Sequence, residues 1–339
     1  MKRIGVLTSG GDTPGMNAAI RAVFKTGVDI DLQVMGIYHG YKGLIEGRVG
    51  YLTHADVESK MHKGGTILRT ARSEEFKTEN GIEKAISVLR AYEIEGLIVI
   101  GGDGSFKGAD ALSRRGIPVV GIPGTIDNDM GYTDFTIGFD TAVNNVMNEI
   151  YKIRDTMRAH DRVGVIEVMG RKCGDIALWA GVAGAADIIL VPERPLSWAD
   201  AANQLAANKL RGQLTSIVMI AEGAGKAEDF CEYVRKYTDV EIKATVLGYI
   251  QRGGNPSAFD RVLAARMGQR AVELLADETH SRGRTDTNAP EADSAELRFG
   301  YAVGIRENRI VSVPLEEAVS TRDCFDNKLY DLNSVMAKF

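Results

Sequence analysis

Residues 97–105 read Leu-Ile-Val-Ile-Gly-Gly-Asp-Gly-Ser, and this stretch decides the fold class because a short apolar run ends in a glycine-rich loop. Residues 117–129 repeat the arrangement as Ile-Pro-Val-Val-Gly-Ile-Pro-Gly-Thr-Ile-Asp-Asn-Asp. Runs rich in Val and Ile predict strands, and glycine lets a backbone approach a bulky anion. A carboxylate repels a bare phosphate, so its place in such loops indicates Mg²⁺ or a proton to be removed. The two loops therefore predict a phosphoryl-transfer site at the ends of neighbouring strands.

Short apolar runs alternate with segments of helical spacing on both sides of these loops. This alternation predicts an α/β fold with doubly wound, mainly parallel sheets covered by helices. Ligands of such sheets bind at the carboxyl ends of the strands, where the two loops fall. The predicted strands include residues 4–7, 34–37, 97–100, 117–122, 163–168, 188–191 and 216–221, and the predicted helices include residues 16–28, 81–92 and 199–210.

Composition limits the class of protein. A length of 339 residues with 44% apolar residues suggests two domains with ample cores. A net charge of -5 without a long basic block argues against nucleic acid as a partner. Apolar stretches are too short to span a membrane and the start of the chain does not read as a signal peptide. Cys173, Cys231 and Cys324 lack metal-ligand spacing. The expectation is a reduced, soluble, cytoplasmic protein.

Two further segments have a clear pattern. Apolar residues recur at helical spacing through residues 141–158, which predicts a helix with a core-facing stripe. Residues 279–298 are polar and nearly free of large apolar groups, which predicts a flexible surface loop.

A third glycine-rich loop, residues 9–15, follows the first predicted strand and opens a helix. Such a helix start binds anions through free N–H groups and the helix dipole. A dinucleotide fingerprint would need glycine in place of Asp12, and a P-loop would need lysine in place of Met16. By itself this loop fits an ordinary strand-to-helix turn equally well.

The carboxylates of the first two loops have two readings each. Asp103 can be the N-cap of the next helix, a Mg²⁺ ligand or both, and the metal role is favoured because a second acidic loop lies one strand away. Asp127 and Asp129 share a face with Thr125 if the backbone is extended, with Asn128 opposite. One carboxylate would then take a proton while the other orients cations. The alternative is an Asx-turn.

Together these segments resemble the bacterial type of ATP-dependent 6-phosphofructokinase. The likeness covers about residues 1–275 and is specific because the segments occur jointly and in order. The segments are 9–15, 70–72 (Thr-Ala-Arg), 101–105, 123–129, 169–171 (Met-Gly-Arg), 221–223 (Ala-Glu-Gly) and 251–254 (Gln-Arg-Gly-Gly).

The resemblance implies that fructose 6-phosphate is phosphorylated at its 1-hydroxyl by ATP. Asp127 would be the general base, and Arg171 and Arg72 would neutralise the transferred phosphoryl group. It implies Mg²⁺ held by Asp103. The other nucleotide residues would be Gly11, Gly102, Gly104 and Ser105, and the other sugar residues would be Thr125, Asp129, Arg162, Met169, Gly170, Glu222, Lys243, Tyr249 and Arg252.

The resemblance also implies an organisation. An ATP-binding domain would comprise residues 1–138 and 251–304, and a sugar-phosphate domain residues 139–250 and 305–339, with the active site in the cleft between them. The equivalents of Arg162 and Lys243 come from a neighbouring subunit in the family, which implies a homotetramer.

Single positions distinguish the family's members. Pyrophosphate-dependent relatives carry Asp in place of Gly104 and Lys in place of Gly124, so this chain is expected to use ATP. Tyr249 replaces the usual His and Lys243 the usual Arg, so sugar binding is expected to be weaker with the chemistry intact.

The family's effector site binds ADP or phosphoenolpyruvate between subunits. Asp187 replaces the usual Glu, and Gln213 and Leu214 replace frequent lysines, so weak allosteric control is expected. The alternatives left open are a pyrophosphate-dependent enzyme, a kinase of another sugar phosphate and a non-catalytic nucleotide-sensing paralogue. The effector residues would be Arg21, Lys25, Arg154, Asp187 and Arg211.

Overall fold

The computed structural model describes residues 1–283, 300–320 and 325–337, and in the helix that ends at residue 283 it describes side chains as far as residue 277. In chain order the strands are β1 (Arg3–Thr8), β2 (Gln33–Ile37), β3 (Val49–Tyr51), β4 (Gly96–Gly101), β5 (Val119–Pro123), β6 (Val163–Val168), β7 (Ile188–Leu190), β8 (Ser216–Ala221), β9 (Ile242–Val246), β10 (Gly300–Arg306) and β11 (Arg309–Pro314).

The helices alternate with these strands. They are α1 (Met16–Asp29), α2 (Gly40–Ile45), α3 (His54–Val57), α4 (Glu79–Ala91), α5 (Asp103–Ser113), α6 (Phe139–Ala159), α7 (Asp175–Ala183), α8 (Trp198–Leu210), α9 (Ala227–Tyr237), α10 (Ala258–Gly283), α11 (Leu315–Ser320) and α12 (Asn327–Met336), with 3₁₀ turns at Glu75–Lys77 and Gly248–Arg252.

The chain divides into two compact units. The first unit comprises Met1–Thr125, Met130–Gly138 and Asn255–Asp323, and the second comprises Ile126–Asp129, Phe139–Gly254 and Cys324–Phe339. Each unit has its own sheet. The predicted α/β class with mainly parallel sheets is therefore confirmed.

The first unit has a sheet in the order β11-β10-β5-β4-β1-β2-β3. The five inner strands are parallel, while β3 and β11 pair antiparallel at the two edges. Successive side chains of a strand point to opposite faces. On β4, Ile98 and Ile100 join one buried cluster with α1 and α10, while Leu97 and Val99 join another with α4 and α5. The apolar run therefore reflects burial of the strand on both faces.

The second unit has a four-stranded parallel sheet in the order β7-β8-β6-β9. Val163 and Val165 of β6 pack on one face with side chains of α8 and α9. Helix α6, in which the predicted stripe falls, buries Val143, Val146 and Ile150, which confirms the core-facing interpretation. Among the described residues, no helix is both long and apolar enough to cross a bilayer.

The observed units differ from the predicted domain boundaries. Strand β11 and helix α11 belong to the first unit because β11 forms a hairpin with β10, from Tyr301 opposite Pro314 to Arg306 opposite Arg309. Residues 126–129 and 251–254 belong to the second unit. The predicted loop at 279–298 is wrong for its first residues, since α10 continues to Gly283, and its remainder lies outside the described residues.

Candidate active site

Three predicted site loops follow neighbouring strands of the first unit's sheet. Strands β5, β4 and β1 are adjacent and parallel, with Thr8 opposite Ile100 and Gly101 opposite Pro123, so their carboxyl ends are level. In the sheet, β1 lies between β2, the next strand in the chain, and β4, so the strand order reverses at β1. Such a reversal of strand order opens a crevice at the carboxyl edge, where α/β sheets bind ligands.

Glycine is required at two positions of these loops. Gly15, which precedes α1, has a φ of +105°, and a Cβ there would lie 2.5 Å from Ile137 Cγ2. A Cβ on Gly101 would lie 2.5 Å from the carbonyl oxygen of Ser9. The loops after β1 and β4 therefore pack backbone against backbone, which leaves amide groups rather than side chains at this edge.

The segment that carries Arg72 is joined to the first loop. Thr70 Oγ1 donates a hydrogen bond to the carbonyl oxygen of Gly10 at 2.7 Å. Arg72 itself is exposed. The predicted nucleotide residues Gly11 and Arg72 are thus brought to the same edge of the first unit.

Asp103 is the first residue of α5, and Gly102 is its N-cap, so the N-cap interpretation of Asp103 is wrong. Its carboxylate pairs with Lys107 Nζ at 2.8 Å, one turn along the helix. The side chain is 27% exposed and stands at the positive end of the helix dipole. A Cβ on the next residue, Gly104, would meet nothing within 4 Å, so protein packing does not require glycine there.

The loop that carries Asp127 and Asp129 is not extended. Asn128 has a φ of +52°, in the left-handed region, and the predicted extended backbone is wrong. Asn is one of the few residues that tolerate this conformation. Asn128 Nδ2 donates a hydrogen bond to Asp175 Oδ2 at 2.8 Å, a partner that the sequence pattern did not suggest. Thr125 belongs to the first unit, whereas Asp127 and Asp129 belong to the second.

The carboxylate of Asp127 is buried and surrounded by charges. Arg171 Nε lies 3.2 Å from Asp127 Oδ2, and the Asp127 side chain is only 3% exposed. The pKa of Asp127 is raised to about 6: burial is the main cause, the carboxylates of Asp129 and Glu222 add to the rise, and the guanidinium groups of Arg171 and Arg252 oppose it. A carboxylate with a pKa close to neutral suits general base catalysis.

The loops at the carboxyl ends of β6, β8 and β9 are joined to one another. Arg171 N–H donates to Glu222 Oε1 at 2.8 Å, and Met169 N–H donates to Gln251 Oε1 at 3.1 Å. Gly170 has a φ of +136°, a region in which glycine is favoured. The structure thus brings Met169, Gly170, Arg171 and Glu222 together with the turn that carries Arg252.

Gln251 connects two of these loops and was not among the predicted site residues. Its side chain is fully buried, and its Nε2 donates to the carbonyl oxygen of Gly248 at 3.1 Å. The sequence signal for Gln251 was its position beside Arg252 in the segment Gln-Arg-Gly-Gly. In the sequence analysis that segment directed attention to the arginine rather than to the glutamine.

Arg162 and Lys243 lie at the amino ends of their strands, opposite to the carboxyl ends that carry the loops just described. Arg162 directly precedes β6, and Lys243 is opposite Gly164 at the start of β9. Strand β6 rises about 3.3 Å per residue, so Arg162 is on the order of 20 Å from the Met169 loop of the same chain. Arg162 Nε pairs with Glu241 Oε1 at 2.6 Å. Neither residue therefore joins Asp127 within one chain.

The predicted effector residues lie in both units. Arg21 and Lys25 are one turn apart on α1, and Lys25 Nζ lies 3.5 Å from Glu58 Oε2. Arg211 follows α8 as its C-cap in the second unit. The remaining two, Arg154 and Asp187, also belong to the second unit.

Among the described residues, no group of three or more His, Cys, Asp or Glu side chains is arranged to hold a metal ion. Mg²⁺ can bind without such a group of protein ligands. One or two carboxylates with substrate phosphates is the usual arrangement for this ion. Asp103, partly exposed at a helix start, fits that arrangement.

Comparison with known proteins identifies close relatives. The phosphofructokinase family model matches residues 3–275. The chain is 52% identical over 337 residues to the ATP-dependent 6-phosphofructokinase of Clostridium tetani, covering 99% of this chain and 100% of that protein. It is 49% identical to the enzyme of the same name from Clostridium novyi, with the same coverage.

Solved structures extend the comparison. A phosphofructokinase from Saccharomyces cerevisiae matches with a TM-score of 0.87 and 33% identity over 98% of this chain. That match covers 50% of the yeast chain, so this chain spans half its length. A pyrophosphate-dependent phosphofructokinase from Marinobacter aquaeolei matches with a TM-score of 0.80 and 22% identity, over 96% of this chain and 86% of that one. The latter likeness concerns the fold alone.

Proposed function

Because the chain belongs to the phosphofructokinase family, we propose that it phosphorylates fructose 6-phosphate at the 1-hydroxyl with ATP, giving fructose 1,6-bisphosphate and ADP. The observation that carries the mechanism is the buried Asp127 carboxylate beside Arg171. A base of raised pKa next to a guanidinium group is what phosphoryl transfer to a sugar hydroxyl requires.

In the proposed reaction the C1 hydroxyl oxygen forms a bond to the γ-phosphorus. The bond from that phosphorus to the bridging oxygen breaks, ADP leaves, and the hydroxyl proton passes to Asp127. Arg171 has an exposed guanidinium group that is already directed at Asp127, so it can stabilise the negative charge on the transferred group. Nucleotide phosphates would bind to the amides of the first unit's loops, and the sugar to Met169, Glu222 and Arg252 of the second.

Mg²⁺ belongs to the same proposal. Asp103 would hold the ion through its carboxylate, with the nucleotide phosphates as the other ligands. The bound ion would neutralise part of the phosphate charge. Release of Asp103 from Lys107 would make its carboxylate available, and that exposed pair is held weakly.

The choice of ATP over pyrophosphate is supported by two glycines. Gly104 borders open space, so an aspartate there would extend a charge into the region proposed for the α-phosphate. The lysine that pyrophosphate-dependent relatives carry in place of Gly124 would have its Cβ 3.0 Å from Ile100 Cγ2, so it would be tightly packed at its base. Its long side chain would occupy space that is proposed here for the α-phosphate. The pyrophosphate-dependent alternative, and the alternative without catalysis, are not favoured, since the relatives that match over their full length are named as ATP-dependent kinases.

The proposed function is tested by measuring fructose 1,6-bisphosphate formation with fructose 6-phosphate, Mg²⁺ and either ATP or pyrophosphate. We expect product with ATP and none above background with pyrophosphate. Product with pyrophosphate alone would overturn the donor assignment. Absence of product with both donors at high sugar concentration would overturn the choice of acceptor.

We propose a homotetramer in which Arg162 and Lys243 serve a neighbouring subunit. Support comes from their place at the amino ends of β6 and β9, away from Asp127 of the same chain. Both side chains reach solvent, as a group that binds in another subunit's site must. A cytoplasmic location belongs to the same proposal, because the reaction is a step of glycolysis.

Replacing Tyr249 with histidine is expected to lower the KM for fructose 6-phosphate about fivefold below pH 6.5. A charged donor binds a phosphate better than a neutral hydroxyl by about 1 kcal/mol, and Tyr249 is 84% exposed and free to be exchanged. Sugar saturation curves at fixed ATP measure this, with kcat and the KM for ATP unchanged. An unaltered sugar KM would contradict the assignment of position 249 to the sugar-phosphate pocket.

We propose that ADP and phosphoenolpyruvate control the activity of this protein only weakly through the effector residues. The Asp187 carboxylate accepts hydrogen bonds from Gln213 Nε2 at 2.5 Å and from Ile217 N–H at 2.7 Å. The Arg154 guanidinium donates to the carbonyl oxygens of Gly184 and Ala185. These groups are therefore already engaged within the second unit. A cavity of about 510 Å³ is lined in part by Asp187, Arg211 and Tyr330.

We expect sugar saturation with a Hill coefficient of about one, changed little by ADP. A Gln213→Lys variant would add a cation beside Asp187, and it should gain sensitivity to ADP. Rates measured against fructose 6-phosphate with and without ADP check both statements. A strongly sigmoidal curve that ADP makes hyperbolic in the unaltered protein would disprove the expectation.

A further inference from the structure

Asn128, between Asp127 and Asp129, makes a buried contact that the proposed reaction does not use. Its Nδ2 lies 2.8 Å from Asp175 Oδ2, and the two residues are 5% and 3% exposed. Its φ of +52° directs the chain sharply between the two flanking carboxylates. An unusual backbone conformation persists only where its surroundings hold it, and this hydrogen bond is such a restraint.

Asp175 is itself held in a fixed place. It is the first residue of α7, a helix that begins after Gly174. The N–H group of Gly174 donates to Glu193 Oε1 at 2.7 Å, which ties the helix start to the loop after β7. Further along α7, Trp179 packs edge-to-face on Phe139 of α6. The acceptor of the Asn128 hydrogen bond therefore belongs to a packed helix rather than to a loop.

We infer that Asp175 is a positioning residue for the phosphoryl transfer: through Asn128 it fixes the backbone at residue 128 and so aims the Asp127 carboxylate. The inference rests on the proposed function. Small misplacement of a reacting group costs a large part of the rate. Because the hydrogen bond between Asn128 and Asp175 sets the backbone conformation next to Asp127, the rate of phosphoryl transfer should depend on that hydrogen bond.

The charges around Asp175 provide an additional readout. The pKa of Asp175 is raised to about 7: burial is the main cause, the hydrogen bonds from Asn128 and Cys173 oppose the rise, and the carboxylates of Glu193 and Asp326 add to it. A carboxylate is a stronger acceptor than a carboxylic acid. Protonation of Asp175 should therefore weaken its hold on Asn128 as the pH falls below 7.

The test is a double-mutant cycle in the full-length protein. Asp175→Ala removes the acceptor, and Asn128→Gly removes the amide while keeping the left-handed conformation accessible. Each should lower kcat about 10- to 100-fold with the KM for ATP changed less than threefold, and the double variant should fall no more than threefold further. Circular dichroism measures the folded fraction of each variant, and the kcat values are compared after division by that fraction.

A matched control is Glu167→Gln. Glu167 of β6 is also a buried carboxylate of the second unit, and it accepts a hydrogen bond at 2.9 Å from the N–H of Ala227, the first residue of α9. We expect this change to lower the melting temperature but to leave kcat within twofold. A comparable loss of kcat in this control would show a general effect of removing buried carboxylates, and would overturn the inference.

A conservative variant separates positioning from packing. Asp175→Asn keeps an acceptor oxygen but does not titrate, so it should recover at least a third of the wild-type kcat at pH 8. The wild-type acid limb in kcat/KM should contain two ionisations, that of Asp175 near pH 7 and that of Asp127 near pH 6, and Asp175→Asn should lose the first and keep the second. An unchanged acid limb, or single variants with kcat within twofold of wild type, would overturn the inference.

Failure of the proposed function is distinguishable from failure of the inference. If the wild-type protein makes no fructose 1,6-bisphosphate, the proposed function fails. The same cycle measured on melting temperature still reports whether Asn128 and Asp175 are coupled. Additive shifts in melting temperature would show that the pair does not form, and would overturn the inference whatever the reaction.

Discussion

Replacing Asp127 with asparagine should lower kcat about a thousandfold while the KM values for ATP and fructose 6-phosphate change only a few-fold. General bases typically contribute between about 10² and 10⁴ to a rate. The amide keeps the shape of the side chain and can still accept a hydrogen bond from Arg171, but it cannot take a proton. Initial rates with saturating substrates measure the effect. More than a tenth of wild-type kcat would show that the base is another group.

The pH profile gives an independent check on Asp127. Its pKa of about 6 means that the base is available above pH 6 and is lost as the pH falls below it. Asp129 raises the pKa of Asp127, so Asp129→Asn should shift the acid limb of kcat/KM to lower pH. A shift to higher pH would contradict the assigned charges.

Replacing Arg171 with alanine should lower kcat by about 10² to 10³. The loss of one donor aimed at transition-state charge has this magnitude in other enzymes, and Arg171 is the guanidinium group paired with the base at 3.2 Å. Because Arg171 lowers the pKa of Asp127, the residual activity should also show an acid limb at higher pH. Arg171→Lys should recover part of the rate, since lysine keeps the charge but not the fork.

The matched control is Lys172→Ala. Lys172 is the next residue, also cationic and exposed, and no proposed role falls on it. Its removal should leave kcat within twofold. Equal losses at positions 171 and 172 would show that general positive charge, rather than the geometry of Arg171, supports the reaction.

The sequence predicted the elements that are most strongly patterned. Residues 97–100 are buried on both faces of the first sheet, so the apolar run and the glycines after it pointed to a central strand and its loop. Strands β9 and β11 were not predicted, because their residues are half-exposed and mixed with polar ones. Neither strand contains a continuous apolar run like that of residues 97–100.

Within the second unit, the resemblance to the family implied roles in the reaction for both Asp127 and Arg171, and in the structure the two side chains are in contact. The extended backbone assumed for residues 127–129 was wrong. A left-handed Asn128 depends on Asp175, which is 47 residues away along the chain, and no local rule predicts so distant a hydrogen bond.

By itself the sequence determined the α/β class, the order of strands and loops, and which residue types stand at the strand ends, because these depend on local hydrophobic period and glycine placement. Only the tertiary structure decided the pKa of Asp127, the pairing of Asn128 with Asp175 and the separation of Arg162 from the base. Burial and charge proximity arise from side chains that are remote in sequence, and they exist only once the sheets have formed.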